Sequence, residues 1–303
     1  MKGPSPSATS EATVGFQGER GAFSEGAARA LAPGLRPEPR PSFVDVVHAV
    51  ETGRDRAGIL PVENTLAGGV TAAFDALIDG KVKAVAEAAL PIRHALLGVP
   101  GATRSGIREV RSHPVALAQC RRFFEQNPGI RAAAVHDTAG AAREVAEAGD
   151  PTIAALAGRH AAPAYQLEVL ADDLQDRDDN QTRFLLIVDR DEETAGAPWV
   201  SVPPESAAWK TGLSVDVQNR PGALRDLLTV FADRGRDLTF IASRPTGTPW
   251  TYRFLMEFRH ETVEEGQACV AATAEAARQV QVLGTYRAVD IQAPALDRSV
   301  SPP

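Results

Sequence analysis

The feature that most constrains the fold is a change of pattern near residue 190 of this 303-residue chain. Residues 12–190 alternate short apolar strands with amphipathic helices, which predicts an α/β domain with helices covering a mostly parallel sheet. Residues 191–208 are rich in proline, alanine and acidic residues, as in a linker. Residues 209–292 then follow the order βαββαβ, which is typical of a ferredoxin-like domain. The chain therefore predicts two domains of different architecture.

The remaining composition limits the kind of protein. Residues 1–11 and 293–303 predict disordered tails, and a net charge of −7 argues against binding to nucleic acid. Cys120 and Cys269 fall in different predicted domains, so neither a disulfide framework nor zinc-ligand spacing is present. We expect no metal and no cofactor. No apolar run has the length of a membrane span, and residues 1–10 lack the apolar core of a signal peptide, so a soluble cytoplasmic protein with no membrane contact is expected.

Residues 175–188 join an acidic polar run to an apolar run, the pattern of a loop that leads into a buried strand. Thr182, Arg183 and Phe184 lie where the two runs meet. Ligands of open α/β sheets bind at strand ends, so these side chains are candidates for a site. The same residues also fit an ordinary strand in which Arg183 pairs with a neighbouring aspartate.

Two further polar segments precede predicted helices. The glycines of residues 15–21 do not form a dinucleotide fingerprint, because Gln17 occupies the position of the second glycine. What remains is a glycine turn that brings backbone N–H groups and Ser24 to a helix start, either as an anion site or as a simple cap. Asn64 and Thr65 follow a strand directly. His113 precedes a helix that begins with proline, and we expect it to be structural or to line the substrate site.

Seven segments together resemble one enzyme family, the bacterial prephenate dehydratases. In chain order they are Gly21–Glu25, Leu60–Thr65, Ser112–Cys120, Asp137–Ala141, Asn180–Phe184, Asn219–Leu224 and Ser243–Pro245. The resemblance covers nearly the whole chain between the two tails. It implies a two-lobed catalytic domain that resembles type-2 periplasmic binding proteins, with the active site between the lobes and an ACT domain after it.

The resemblance also implies roles for individual residues. Thr182 is the catalytic hydroxyl, which helps to expel hydroxide as prephenate loses carbon dioxide and becomes phenylpyruvate. Arg183 is expected to clamp a substrate carboxylate, and Phe184 to shield the ring from water. The other residues expected to bind substrate are Ser24, Asn64, Thr65 and His113. Ala22, Phe23 and Thr65 replace residues of similar type in many family members.

The second domain is expected to bind L-phenylalanine as a feedback inhibitor in phenylalanine biosynthesis. The predicted effector-binding residues are Asn219, Gly222, Ala223, Leu224, Ser243, Arg244 and Pro245. Ala242 stands where the family usually has glutamate, so we expect modest affinity. An isolated βαββαβ domain leaves one sheet face and its edges open, which predicts a homodimer or a dimer of dimers.

Three alternatives remain open at this point. Arogenate differs from prephenate by an amino group in place of the keto group, so an arogenate dehydratase fits the same motifs. A prephenate decarboxylase would not need a group that expels hydroxide, and Thr182 therefore favours dehydration. A non-catalytic amino-acid sensor is the alternative from another class, because both predicted folds also occur in binding proteins.

Overall fold

The computed structural model describes residues 12–201 and 207–288. The predicted tails at 1–11 and 293–303 lie outside the described residues, as do residues 202–206 of the predicted linker. The proposed domain boundaries therefore stay predictions. No helix in the described ranges combines the length and the apolar character needed to cross a membrane.

The first lobe combines six strands with three helices. Its elements are β1 (Thr13–Gln17), α1 (Phe23–Leu31), β2 (Arg36–Arg40), α2 (Phe43–Glu51), β3 (Ala57–Asn64), β4 (Gly68–Gly69), α3 (Thr71–Asp79), β5 (Val82–Pro91) and β11 (Gln181–Asp189). Its helices cover buried strands β1, β3, β5 and β11. Ser42 caps α2 by accepting a hydrogen bond from the Asp45 N–H, which satisfies a donor that the first helical turn leaves free.

The second lobe lies between β5 and β11 in the sequence. Its elements are β6 (Ala95–Gly98), a 3₁₀ turn (Arg104–Gly106), β7 (Glu109–Ser112), α4 (Pro114–Gln119), α5 (Arg121–Gln126), β8 (Arg131–Ala134), α6 (Thr138–Ala148), β9 (Ile153–Ala157), α7 (Ala161–Ala164) and β10 (Glu168–Ala171). Asp137 caps α6 through the Gly140 N–H, and Gly149 ends it in the left-handed conformation.

Two segments cross between the lobes, residues 92–94 and residues 172–180. The mostly apolar residues 83–99 do not form one strand, because β5 and β6 belong to different sheets. Pro91 ends β5, and proline has no N–H with which to continue the ladder. The two crossing segments touch where the Ile92 N–H donates to the Asn180 carbonyl at 2.8 Å.

The prediction of a mostly parallel sheet needs correction. Strand β1 is parallel to β2 and β3, and β7 is parallel to β8 and β9. Strand β11, however, is antiparallel to both β3 and β5, because the chain re-enters the first lobe from the second. The return places the start of β11 beside the end of β3, which positions the candidate site.

The C-terminal domain has the predicted βαββαβ order. Its elements are β12 (Trp209–Asp216), α8 (Ala223–Asp233), β13 (Leu238–Pro245), β14 (Tyr252–His260), α9 (Val263–Ala276) and β15 (Gln279–Arg287). The strand order is β13-β14-β12-β15, as expected for a ferredoxin-like sheet. Apolar side chains of β12 and β14 pack under the helices, with Leu227 and Phe231 of α8 and Cys269 of α9 in the same core.

The opposite face of this sheet packs against the first lobe. Phe240 stacks on Phe74 of α3 at a centroid separation of 4.9 Å, and Leu255, Leu283 and Tyr286 are buried in the same apolar cluster. Gly284 of β15 also pairs with Ala84 of β5, so the two domains share one sheet. The sequence-based argument that this face is open for dimerisation is therefore wrong, because the chain covers the face itself.

Candidate active site at the junction of the lobes

The candidate site begins where β3 ends and β11 starts. Thr182 pairs with Asn64 across these strands and with Leu90 of β5 on its other side. Both polar side chains are half-buried. The fold thus brings together two sequence-predicted site residues that are separated by 118 positions.

The orientation of the Asn64 amide is set by its neighbours. Its Oδ1 accepts hydrogen bonds from the backbone N–H groups of Leu66 at 3.0 Å and Ala67 at 2.9 Å. Because these two groups can only donate, the oxygen must face them and the Nδ2 must face the other way. Nδ2 accordingly donates to the Thr182 hydroxyl oxygen at 2.9 Å.

This geometry leaves the proton of Thr182 free to act. Asn64 uses a lone pair of the Thr182 oxygen, so the hydroxyl can still donate to a ligand. Among the described residues, Asn64 is the one hydrogen-bond partner recorded for the Thr182 side chain. The pair therefore presents an oriented O–H donor rather than a hydroxyl activated by a base.

Thr65 and Asn180 hold the same junction together. The Thr65 hydroxyl donates to the Asp179 carbonyl at 3.1 Å and accepts from the Gln181 N–H at 3.0 Å. Asn180 is 1% exposed, and its Oδ1 accepts from Asn64 at 2.8 Å. Thr65, which was predicted to bind substrate, instead fixes the crossing segment, since its hydroxyl has both its donor and an acceptor position occupied.

On the other side of the junction, direct contacts join the two lobes. Glu19 of the first lobe pairs with Arg143 of α6 at 2.7 Å, and the Tyr165 hydroxyl donates to the Arg20 carbonyl at 2.9 Å. Burial, the negative charge of Glu19 and the hydrogen bond to it raise the pKa of Tyr165 to about 12. Phe23 meets the ring of His160 edge-on at 5.0 Å. The lobes are therefore held together on this side.

His94 lies in the first crossing segment and is 2% exposed. Its Nε2 lies 3.1 Å from Oε1 of Gln119, so the two side chains share a hydrogen bond. Its Nδ1 is buried with no hydrogen-bond partner within the described ranges. Burial lowers the pKa of His94, so the ring is neutral near pH 7.

A cavity of about 490 Å³ opens beside Asn180. It is formed by the loop after β3, helices α4 and α5, and the second crossing segment. Its polar lining includes Gln119, Gln175, Arg121 and Arg177. This volume lies in the usual range for small-molecule sites. Asp176 also lines the cavity, and Arg177 is held by Asp179 at 2.6 Å. Arg121, whose contact with Glu125 is 3.7 Å long, is the lining cation that can meet an anionic ligand.

Arg183 does not face this cavity, and its predicted role as a substrate clamp is corrected. Its side chain is 5% exposed and contacts Glu63 at 3.2 Å, Glu87 at 3.2 Å and Glu257 at 2.7 Å. Successive residues of a strand point to opposite faces, so Arg183 points away from the side on which Thr182 lies. Its contacts are with carboxylates of this chain, which occupy the guanidinium N–H groups that were predicted to bind substrate.

Three other predicted substrate residues take different positions. Phe184 is 1% exposed within the core around β1 and α1, so its predicted role as a wall of the site is also corrected. Ser24 is buried in the first turn of α1, which Ala22 caps without a side-chain hydrogen bond. His113 caps α4, because its Nδ1 accepts from the Val115 N–H at 3.2 Å. The last position agrees with the structural alternative for His113.

A second cavity, of about 430 Å³, lies in the C-terminal domain. Asn219, Ala223 and Leu224 line it, and Gly222 caps α8 with a φ of +83°, a conformation that favours glycine. The cavity lies at the N-terminus of α8, where free backbone N–H groups favour a carboxylate. This half of the predicted effector set is brought together by the fold.

The second half of that set lies apart from the cavity. Ser243 and Pro245 are exposed on β13, while Arg244 pairs with Asp75 of α3 at 2.5 Å. Ala242 packs against the core of the first lobe beside Phe240. The residue that replaces the usual glutamate therefore faces the catalytic domain rather than the cavity.

Sequence reasoning did not assign Asn180, Gln119, Gln175 or His94 to the site. Asn180 and Gln119 fall inside motifs that the sequence does show, and their amide side chains were a usable signal. His94 lies outside the seven motif segments, so no local signal singled it out. In the part of the chain that the structure describes, no cluster of three or more histidine, cysteine or acidic side chains is placed to hold a metal ion.

Known proteins share this architecture. The family model for prephenate dehydratase matches residues 14–192, and that for the ACT domain matches residues 211–266. Arogenate dehydratase/prephenate dehydratase 2 of Arabidopsis thaliana is 35% identical over 288 residues, which cover 91% of this chain and 73% of the plant protein.

Two solved structures superpose on most of the chain. Prephenate dehydratase from Arthrobacter aurescens, in complex with L-Phe, has a TM-score of 0.81 and 30% identity, covering 94% of this chain and 93% of that one. GqqA, described as a novel type of quorum quenching acylase, has a TM-score of 0.82 and 31% identity, covering 93% and 100%. The matches to the two family models agree with the sequence identity to these proteins and with the Thr182–Asn64 junction. The chain therefore belongs to the prephenate dehydratase family and has a C-terminal ACT domain.

Proposed function

We propose that the protein converts prephenate to phenylpyruvate, carbon dioxide and water in L-phenylalanine biosynthesis, and that L-phenylalanine inhibits it. The observation that carries the proposal is the fixed orientation of Asn64. Its amide donates to the Thr182 oxygen and so leaves the hydroxyl proton available to the departing oxygen of the substrate. That hydrogen bond strengthens as negative charge develops on the leaving group, and it therefore lowers the barrier.

We place the rest of the substrate in the cavity beside Asn180, because Asn180 lines that cavity and contacts Asn64, which in turn contacts Thr182. Prephenate carries two carboxylates, and Arg121, which has only a long contact of 3.7 Å with Glu125, supplies positive charge at the cavity wall. Arg121 takes over the role that was predicted for Arg183. Aromatisation of the ring drives the loss of carbon dioxide, so the protein has to orient the substrate and assist only the C–O cleavage.

Arogenate is the alternative substrate, and the name of the Arabidopsis relative includes both activities. The two substrates differ at one position of the side chain, so direct comparison is needed. We expect turnover of prephenate to give phenylpyruvate with kcat/KM above that for arogenate. Measuring both reactions under identical conditions, with the products identified, tests this preference.

An acylase reaction, as described for GqqA, requires a nucleophile that a base activates. Thr182 accepts its recorded hydrogen bond from an amide, which does not remove a proton. Burial, with a smaller contribution from Asp176, raises the pKa of the Cys120 thiol to about 12 and makes it a poor nucleophile at neutral pH. The geometry therefore favours dehydration over acyl transfer.

The decisive test is the hydroxyl itself. Thr182→Ala is expected to lower kcat on prephenate at least ~100-fold without loss of folding, the usual scale for a lost proton donor or oxyanion partner. Thr182→Ser keeps the hydroxyl and is expected to stay within roughly tenfold of the wild type. Wild-type turnover in Thr182→Ala would remove this residue from the mechanism.

The proposal also covers the effector, the oligomeric state and the cellular location of the protein. The cavity at Asn219, Ala223 and Leu224 supports binding of an amino acid carboxylate at the start of α8. Ile241 on the edge strand β13 and Tyr252 at the start of its neighbour β14 are exposed, which supports pairing of two copies, to be measured by light scattering at micromolar concentration. Both cysteines are buried free thiols, which supports a reducing, cytoplasmic environment. We also propose that the protein comes from a bacterium.

A further inference from the structure

A buried network of charged side chains links the strand that carries Thr182 to the ACT domain. Arg183, which follows Thr182 in β11, contacts Glu87 of β5 and Glu257 of β14. Lys210 of β12 contacts Glu87 at 2.8 Å. All four of these side chains are at most 5% exposed.

The pairing crosses the domain boundary in both directions. The catalytic domain supplies Arg183 and Glu87, the ACT domain supplies Glu257 and Lys210, and each cation contacts the acid of the other domain. The four charges cancel, as buried charges must if the cost of removing them from water is to be offset. Burial alone would raise the pKa of Glu257, but Arg183 and Lys210 outweigh it and hold that pKa below its ordinary value.

Neutral and half-buried groups complete the network. The Tyr286 hydroxyl of β15 donates to Glu257 Oε1 at 3.0 Å. Arg183 Nε also donates to Glu63 of β3 at 3.2 Å, next to Asn64 in the sequence. Arg183 follows Thr182 and Glu63 precedes Asn64 in the sequence. The Arg183–Glu63 contact therefore links the two strands right beside the Thr182–Asn64 pair.

This position makes the network a mechanical support for the hydroxyl. Thr182 and Arg183 share one peptide unit of β11 and point to opposite faces of the sheet. A displacement of the Arg183 side chain by the ACT domain must therefore be taken up by the backbone that orients Thr182. An error of 1 Å in the placement of a catalytic group can lower a rate about 100-fold.

The same ACT strands reach the effector cavity. Arg253 and Phe254 of β14 line that cavity, and Glu257 follows three residues later in the same strand. Asp216 lines the cavity at one end of β12, and Lys210 lies near the other end. Two continuous strands therefore run from the ligand-binding end of the ACT domain to the network under β11.

We propose that Glu257 and Lys210 of the ACT domain are positioning residues for the catalytic strand, so that the Thr182 site is complete only when the ACT domain holds Arg183 in this arrangement. Occupation of the effector cavity then lowers turnover by moving β14 and β12, and with them Arg183. The inference rests on the proposed function for its kinetic readout. Neither residue touches the substrate site.

The test uses the full chain with Glu257→Gln, which keeps size and removes the charge. We expect kcat on prephenate to fall at least tenfold with KM changed less than threefold, because orientation rather than binding is lost. L-Phenylalanine is still expected to bind by calorimetry, while its inhibition of the remaining activity falls at least tenfold. A role limited to stability would not separate binding of the effector from inhibition.

The matched control is Asp75→Asn. Asp75 also forms an ion pair across the domain boundary, with Arg244, but the pair does not contact β11. The kcat of the Asp75→Asn variant is expected to stay within twofold of the wild-type value. If Glu257→Gln does not fold, Arg183→Lys is measured in the same way, since it keeps the buried charge but loses the fork that reaches several carboxylates.

Hydrogen exchange gives a readout that does not depend on the substrate. Amides of residues 181–184 are expected to exchange at least tenfold faster in Glu257→Gln than in the wild type, and unchanged in Asp75→Asn. Unchanged exchange with wild-type kcat and inhibition in a folded Glu257→Gln protein would overturn the inference. If the wild type turns over neither prephenate nor arogenate but the exchange changes as expected, the proposed function fails and the positioning role stands.

Discussion

Replacement of Asn64 by aspartate is the sharpest test of how the site is built. The substitution keeps the shape of the side chain and the oxygen that accepts from the Leu66 and Ala67 N–H groups. It replaces Nδ2, which lies 2.8 to 3.0 Å from oxygens of Asn180, Gln181 and Thr182, by a carboxylate oxygen. Acceptor then faces acceptor at Asn180 and Gln181, while the Thr182 hydroxyl must turn to donate to the carboxylate.

The size of the effect follows from these contacts. An amide nitrogen has two protons, so at most two net hydrogen bonds are lost, each contributing about 0.5–1.5 kcal/mol. The total of about 1–3 kcal/mol corresponds to roughly 5- to 150-fold in kcat if it is expressed in the transition state. The loss arises because Thr182 must now use its proton on the new carboxylate instead of on the leaving group.

The assay is steady-state formation of phenylpyruvate by Asn64→Asp, with thermal unfolding measured in parallel. Asn127→Asp is the matched control, since Asn127 also donates from its amide, to the Phe123 carbonyl at 2.7 Å, but lies at the end of α5. A double-mutant cycle with Thr182→Ala should be strongly non-additive, because both changes remove the same donor. Additive losses, or wild-type kcat in a folded Asn64→Asp protein, would refute the orientation argument.

Three further predictions concern the stability and closure of the fold. The thiols of Cys120 and Cys269 are buried, and burial raises the pKa of each, so labelling by an alkylating reagent at pH 8 should be at least ~100-fold slower than in the unfolded chain. Burial lowers the pKa of His94 and His260, so below pH 6.5 the unfolded chain binds more protons than the folded protein. Chemical denaturation should therefore show that the free energy of unfolding is retained above pH 6.5 and falls at lower pH, by up to about 1.4 kcal/mol per pH unit for each ring. Gly21 has a φ of +79°, and an added Cβ would lie 2.6 Å from the backbone of α7, so Gly21→Ala should separate the lobes and lower both the melting temperature and kcat.

The pH and glycine predictions have comparison variants in the same chain. Gly53 has a φ of +67° but open space around it, so Gly53→Ala isolates the backbone strain from the clash. His94→Gln removes one of the two buried rings and should reduce the pH dependence of stability. Rapid labelling of native thiols, a flat stability between pH 7 and pH 5, or equal effects of the two glycine variants would each contradict the corresponding argument.

The order of elements could be predicted from the sequence because it depends on local periodicity. Alternation along β12 and β14 and helical spacing in α8 predicted the βαββαβ domain, and the polar residues after β3 and before β11 predicted two halves of one site. The identity of Thr182 and Asn64 as candidates needed only their place at strand ends and the motifs around them.

The tertiary structure decided which groups face each other. Arg183 had the residue type of a carboxylate clamp, but its partners come from Glu87 and Glu257, which lie 96 and 74 residues away in the sequence. No local pattern shows that the first lobe covers the otherwise open face of the ACT sheet. Strand alternation assigns residues to two faces, but burial of each face depends on contacts between distant segments, and these form only when the whole chain has folded.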